Sequence, residues 1–171
     1  SSDVCSSDLV TDKDTGYQLD IDNEYIMSPK DLKTLHLLDK VLAAGVTVLK
    51  IEGRGRSPEY VKTVTRCYRE AVEAWFKGEF TTENIERWDK ELAEVYNRGF
   101  WEGYYMGSKL GEWSPVHGSM ATTKKVHVGP VANYFSKLGI VHIRMESNEI
   151  ENGDNLLIIG PTTGVVEVLV Q

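Results

Sequence analysis

The sequence predicts an α/β unit followed by a small all-β unit, and three features of the chain predict it. Residues 46–51 form a short, mostly apolar and β-branched run, which is typical of a parallel strand covered on both faces. Segments with helical periodicity lie on both sides of that run. From Lys124 onward the spacing of apolar residues shortens to that of strands. The chain has 171 residues, enough for one domain or two small ones.

Three helices are predicted from their start and stop signals. Ser28 followed by Pro29 predicts the start of a first helix, whose apolar residues recur at helical spacing until Gly45. Ser57-Pro58 repeats the same start signal for a second helix, which should end near Gly78. A third amphipathic helix is expected over about residues 82–98.

Strand-type periodicity in the last third of the chain predicts four strands. They are expected at residues 126–131, 140–145, 156–159 and 165–170, with turns at residues 152–154 and 160–164. A lone buried strand at residues 46–51 would lack partners for its backbone groups. We therefore expect the rest of that sheet to lie upstream, and the chain to be an internal or C-terminal piece of a larger α/β protein.

The same patterns divide the chain into four segments. Residues 1–10 lack periodicity and are predicted to be a non-native or disordered leader. Residues 11–110 hold the α/β part, and residues 111–123, with their glycine, serine and proline, are predicted to be a linker. Residues 124–171 hold the β unit, whose last residues still have strand character, so this unit is expected to be truncated.

Composition narrows the classes of function. The formal net charge of -7 argues against a general nucleic-acid-binding surface, so no DNA partner is expected, although a local basic patch leaves RNA open. No apolar run reaches the roughly 18 residues of a membrane span. Two cysteines, Cys5 and Cys67, give neither a disulfide framework nor a CxxC metal site. A cytoplasmic protein is therefore expected.

The strongest candidate site is the charged end of the predicted strand. Lys50 and Glu52 are two residues apart, so on a strand their side chains share one face. Charges buried there are costly unless they are paired or functional. In the functional interpretation Glu52 is a catalytic general acid or base, and Lys50 tunes it or contacts a substrate anion. In the alternative, the two form a structural ion pair.

An arginine-rich glycine turn follows this strand. Arg54 and Arg56 precede the predicted helix start at Ser57, where unpaired N–H groups and the helix dipole favour a carboxylate or phosphate. The alternative is two solvated loop arginines. Tyr60 could line the same pocket, or it could simply pack.

Several other residues were weighed as site members. Asn97 and Arg98 are candidates for substrate binding, although an arginine near a helix end also compensates the helix dipole. Cys67 lies beside an apolar helix stripe, which favours a buried inert thiol. The four histidines show no ligand spacing, so no metal site is predicted from them: His36, His117, His127 and His142.

Several stretches of the chain form a set of motifs in a fixed order. They begin near Tyr17 and include residues 28–32, 49–61, 68–71 and 97–100, with the Gly153-Asp154 turn and Gly160 further on. These motifs resemble those of the collagenase-like peptidases, family thirty-two of the peptidases of unknown catalytic type. The resemblance implies that residues 11–110 are the end of a TIM-type (β/α) barrel with an extra helix, and that residues 124–171 are a small C-terminal β-barrel domain. It also implies that the other half of the barrel is missing here.

The resemblance implies two enzymatic activities, and a non-catalytic role is a third hypothesis beside them. The first is peptide hydrolysis, with a peptide as the substrate. The second is hydroxylation of tRNA or rRNA with an anionic co-substrate, an activity for which members of the family hold an iron–sulfur cluster through four cysteines. The family's cysteine position falls on Lys33 here, and an ammonium group cannot ligate iron as a thiolate does. The third is a docking module in which the charged strand is structural.

Overall fold

The computed structural model describes residues 8–21 and 28–171, so residues 1–7 of the predicted leader lie outside the described residues. Residues 8–10, which were also assigned to the leader, form part of the first strand. The elements in chain order are β1 (Asp8–Thr11), β2 (Gln18–Ile21), β3 (Asp31–Leu32), a 3-10 turn (Leu35–Leu37), α1 (Leu38–Ala43), α2 (Pro58–Lys77), α3 (Thr82–Glu94), β4 (Phe100–Trp101), β5 (Val131–Phe135), β6 (Ile140–Ile143), β7 (Asn155–Gly160) and β8 (Gly164–Leu169).

The described strands form four two-stranded sheets. Strands β1 and β2 pair antiparallel, as do β5 with β6 and β7 with β8. Strands β3 and β4 pair in parallel, with Asp31 opposite Phe100 and Leu32 opposite Trp101. The described residues do not themselves close a barrel, so the TIM-type barrel and the β-barrel remain predictions.

The apolar core lies where α2 packs on α3. Its buried members are Leu35, Leu38, Val64, Cys67, Ala71, Ala74, Trp88 and Leu92. The start and stop of α2 are confirmed: Ser57 is the N-cap residue with extended backbone, Pro58 is the first helical residue, and Gly78 ends the helix in the left-handed conformation at φ 72°. The start of α3 is also confirmed, with the Thr81 side chain capping Asn84 N.

The predicted helix start at Ser28 is wrong. The backbone there is paired with distant residues instead: Ser114 N donates to Ser28 O (2.8 Å), and Asp31 N donates to Gly99 O (2.8 Å). Residues 31–32 are consequently a strand, and helical structure begins only at Leu35. The local capping signal was overridden by these long-range hydrogen bonds.

The predicted strand at residues 46–51 is also absent from the described structure. No strand lies beside this segment among the described residues, so its backbone has no ladder to join. Two boundaries moved as well. Helix α3 ends at Glu94 rather than near Arg98, and the strand expected at residues 126–131 begins only at Val131.

The segment predicted as a linker packs against the helical unit. Ser114 is fully buried. Met120 N donates to Asn97 O (2.7 Å), and Thr122 N donates to Ala93 O (3.0 Å). These hydrogen bonds pair backbone carbonyl groups at and just after the C-terminal end of α3. They also hold the segment that leads toward β5.

Contacts also join the β unit to α2. Lys62 Nζ donates to Val165 O (3.2 Å), and Lys125 Nζ forms an ion pair with Glu59 on the first turn of α2. A search of residues 8–21 and 28–171 for a helix with the length and apolarity to cross a bilayer found none.

Candidate active site at the parallel strand ends

Arg56 is held by one carboxylate and two aromatic rings. Its Nη2 donates to Asp31 Oδ1 at 2.6 Å. The guanidinium also lies over the rings of Tyr60 (5.1 Å) and Tyr96 (4.6 Å), measured to the ring centroids. Only 14% of the Arg56 side chain is exposed. Burial raises the pKa of the Tyr60 phenol, and this effect outweighs the nearby positive charge of Arg56, which lowers that pKa. The phenol therefore stays protonated at neutral pH.

The Asp31 side chain connects three of the motif stretches found in the sequence, residues 28–32, 49–61 and 97–100. Its Oδ2 accepts a hydrogen bond from Arg98 N (3.1 Å), while its Oδ1 binds Arg56. The neighbouring Asn97 is buried, and its side chain donates to Val95 O (3.0 Å) and accepts from Gly99 N (3.0 Å). Asn97 and the backbone of Arg98 therefore shape the turn that leads into β4.

The two arginines of the glycine turn have different surroundings. Arg56 is neutralised by Asp31, which leaves it little capacity for a substrate anion. Arg54 is exposed, and its backbone N–H donates to Glu52 Oε1 at 2.8 Å. Of the two guanidinium groups, that of Arg54 is the one open to a ligand.

Residues 46–51 do not form a strand, and Leu49, which alternation would have placed beside Ile51, is exposed. Ile51 packs against the apolar core, whereas Lys50 and Glu52 are exposed in this chain. No ion pair joins Lys50 to Glu52 within the described residues, so the structural pairing considered above is not formed. Their position inside a barrel stays a prediction.

The residues at the family's cysteine position do not fit an iron–sulfur cluster. Lys33 Nζ lies 2.9 Å from Asp89 Oδ1, an ion pair by distance without the geometry of a directed hydrogen bond. The same ammonium group lies 5.0 Å from the Phe100 ring centroid. Burial raises the pKa of the Cys67 thiol to about 12, helped by the nearby Glu91 carboxylate, so it is not a thiolate at neutral pH. The described residues contain no group of three or more acidic, histidine or cysteine side chains placed to hold a metal.

A histidine and a glutamate meet just beyond the carboxyl ends of β3 and β4. His36 lies on the 3-10 turn after β3, and Glu102 directly follows β4. His36 Nε2 is 3.1 Å from Glu102 Oε2, and both side chains are about one-third exposed, at 35% and 37%. A carboxylate at this distance orients an imidazole.

An aromatic shelf is formed by Trp101, Tyr104 and Tyr105, which flank Glu102 along the chain. Tyr104 packs edge-on against Trp101, with ring centroids 5.2 Å apart. Tyr104 and Tyr105 are 61% and 66% exposed. Gly103, which precedes them, has a φ of 71°, and a Cβ there would lie 2.8 Å from Leu32 Cδ1. The left-handed backbone at this position therefore favours glycine.

Sequence reasoning missed the His36–Glu102 pair because it placed residues 31–32 inside a helix. The aromatic, glycine-rich run from Gly99 to Gly107 was the available signal, since it marks a change in character along the chain. A parallel strand pair at residues 31–32 and 100–101 would have directed attention to the residues that follow each strand.

Comparison with known proteins identifies the family. Residues 4–115 match the model of peptidase family U32. The chain is 57% identical over 157 residues to a collagenase of Porphyromonas gingivalis, an alignment that covers 92% of this chain and 38% of that protein. It is 32% identical over 161 residues to an uncharacterized protease of Methanocaldococcus jannaschii, which covers 92% of this chain and 39% of the relative.

A third relative is named for a different activity. The chain is 31% identical over 140 residues to tRNA hydroxylation protein P1 of Bacillus subtilis, an alignment that covers 82% of this chain and 33% of that protein. The chain therefore spans less than half the length of the curated relatives it matches. No solved structure matches it. From the family match and these identities, the chain is a member of peptidase family U32.

Proposed function

We propose that this chain is part of a peptide-hydrolysing protein of family U32. The observation that carries the proposal is the 57% identity to a protein named collagenase, over 92% of this chain, against 31% to the tRNA hydroxylation protein over 82% of it. The whole protein would cut a peptide amide bond, and this chain would supply the parallel strand ends and the turn around Arg56.

The fixed position of Arg56 supports a role for the glycine turn as a rigid wall of the site. Because Asp31 and two tyrosine rings hold Arg56, the turn containing Arg54 is anchored at one end. The exposed Arg54 and Lys50 would then face the substrate, where cationic groups can bind a peptide carboxylate. The sequence also suggested Glu52, on the same segment, as an acid or base.

RNA hydroxylation is the second candidate, because relatives of this chain carry that name. The surroundings of Lys33 argue against its simplest form. The ion pair with Asp89 and the Phe100 ring occupy the place where a thiolate would be needed. A non-catalytic docking role, the third candidate, predicts neither activity.

The experiment that tests the proposal measures both chemistries on the full-length protein. One sample is incubated with gelatin and with a collagen-derived peptide, and new amino termini are counted. A parallel sample is incubated with tRNA and rRNA, whose nucleosides are then examined by mass spectrometry for the gain of one oxygen. We expect peptide cleavage without oxygen gain. Oxygen gain in the RNA without peptide cleavage would instead favour the second candidate function, RNA hydroxylation.

A further inference from the structure

We infer that His36 and Glu102 form the proton-transfer pair of the site. This inference rests on the proposed peptide hydrolysis and names residues for it. It differs from the sequence-based choice of Glu52, which lies on a different segment of the chain.

The position of the pair follows from the strand topology. Strands β3 and β4 are the parallel pair of the described structure, so their carboxyl ends lie at one edge. His36 comes four residues after Leu32, and Glu102 comes directly after Trp101. Catalytic side chains of parallel α/β folds are placed at this edge, on the residues that follow the strands.

The contact between His36 and Glu102 leaves one nitrogen of the His36 ring available to act as a base. Nε2 faces Glu102 Oε2, so the neutral ring carries its proton on Nε2 and presents a lone pair on Nδ1. Nδ1 has no partner among residues 8–21 and 28–171. The ring is also open to solvent, since 35% of its side chain is exposed. In this inference, a water molecule meets the ring at Nδ1.

The reaction balances with water as the only co-reactant. Nδ1 takes one proton from the water while the water oxygen bonds to the carbonyl carbon of the peptide. The carbon–nitrogen bond then breaks, and the imidazolium returns that proton to the leaving nitrogen. The products are a carboxyl group, which keeps the second water proton until it ionises, and an amine. Glu102 stabilises the imidazolium between the two steps.

The test compares single variants of the full-length protein in the collagen-peptide assay. His36→Gln should lower kcat at least about 100-fold, the range typical of a lost general base. Glu102→Gln should also lower kcat, and Glu102→Asp should restore part of it. His142→Gln, which changes an exposed histidine of β6, is the matched control and should retain wild-type kinetics.

Two outcomes would overturn the inference. The first is wild-type kcat in His36→Gln while the wild-type protein cleaves peptide, which would leave the proposed function standing without this pair. If the wild-type protein cleaves no peptide, the proposed function fails, and the pair is tested by long-range proton–nitrogen spectra of the imidazoles. The pair predicts a His36 ring fixed with its proton on Nε2, and a mixture of tautomers in Glu102→Gln. A mixture already present in the wild-type protein is the second overturning outcome.

Discussion

At the scale of single residues, Arg56 shows how a motif arginine can be structural although its sequence context suggests ligand binding. Two guanidinium groups before a helix start are a reasonable anion site when only the sequence is read. In the structure, Asp31 and the rings of Tyr60 and Tyr96 surround one of them. The positions of Asp31 and Tyr96 relative to Arg56 depend on long-range packing, so spacing along the chain could not reveal them.

Arg56→Gln should destabilise the 171-residue chain by about 3 kcal/mol, because it leaves the partly buried Asp31 carboxylate without its counter-charge. Chemical denaturation at neutral pH measures this. Arg54→Gln is the matched control from the same turn and should change the free energy of unfolding by less than about 0.5 kcal/mol, since its side chain is exposed. Equal losses for both variants would show that Asp31 does not depend on Arg56.

At the scale of elements, the parts of the fold that could be predicted have local causes. Helix α2 begins at Pro58 and ends before Gly78 because a proline fixes the first turn and a left-handed glycine ends the last one. Helix α3 begins where Thr81 caps it. These signals lie within a few residues of the structure they determine.

The parts that could not be predicted depend on partners far along the chain. Residues 31–32 form a strand because residues 100–101 lie beside them, 69 positions later. Residues 46–51 have strand composition but no neighbouring strand among the described residues, so composition alone could not form a ladder. The His36–Glu102 pair was missed for the same reason, since it exists only when β3 and β4 are placed together.

The interface between α2 and α3 has a pH dependence that can be tested at Glu70. Trp88 Nε1 donates to Glu70 Oε2 (2.9 Å), and this bond, followed by those from Arg87 and Arg66, outweighs partial burial and lowers the pKa of Glu70. Because the pKa of Glu70 is lower in the folded state than in the unfolded state, where it is ordinarily 4.5, the ionised carboxylate stabilises the fold at pH values above the unfolded-state pKa. This contribution is lost as the pH falls through the folded-state pKa of Glu70.

Glu70→Gln should therefore cost roughly 1 kcal/mol at pH 7, an amount reduced by solvent screening of this partly exposed group. The difference from the wild-type chain should disappear in acid below the folded-state pKa of Glu70. Denaturation curves at pH 7 and in acid measure this. Glu73→Gln, which removes an exposed helix ion pair with Arg69, is the control and should cost about 0.5 kcal/mol or less. A pH-independent cost for Glu70→Gln would contradict the linkage.

At the scale of the whole molecule, two lysines connect the helical unit with the β unit. Lys62 Nζ on α2 donates a hydrogen bond to Val165 O and lies 3.9 Å from Glu167 Oε1. Val165 and Glu167 are both on β8. Lys125, on the segment that leads to β5, pairs with Glu59 at the start of α2. The stretch between residues 111 and 123 is itself packed, through Ser114 and Met120. The β unit is therefore attached to the same helix start that adjoins the Arg56 turn.

Lys125→Met should weaken this attachment because Glu59 depends on it. Burial would raise the pKa of Glu59, but the hydrogen bonds from Lys125 and Ser57 hold it below its ordinary value. The second carboxylate oxygen of Glu59 is buried without a hydrogen-bond partner in the described residues, so losing Lys125 leaves the charge poorly compensated. We expect a loss of roughly 1 kcal/mol and faster hydrogen–deuterium exchange at the first turn of α2 and in β7 and β8.

The neighbouring Lys124 provides the control for this prediction. It has the same charge and an exposed side chain, and it forms no ion pair within the described residues, so Lys124→Met should leave exchange unchanged. Faster exchange confined to the segment around residue 125, with α2 and β8 unaffected, would mean that Lys62 alone holds the two units together. Faster exchange that extends into the Arg56 turn would instead mean that the β unit helps to position the candidate site, because Glu59 and Arg56 flank the same helix start.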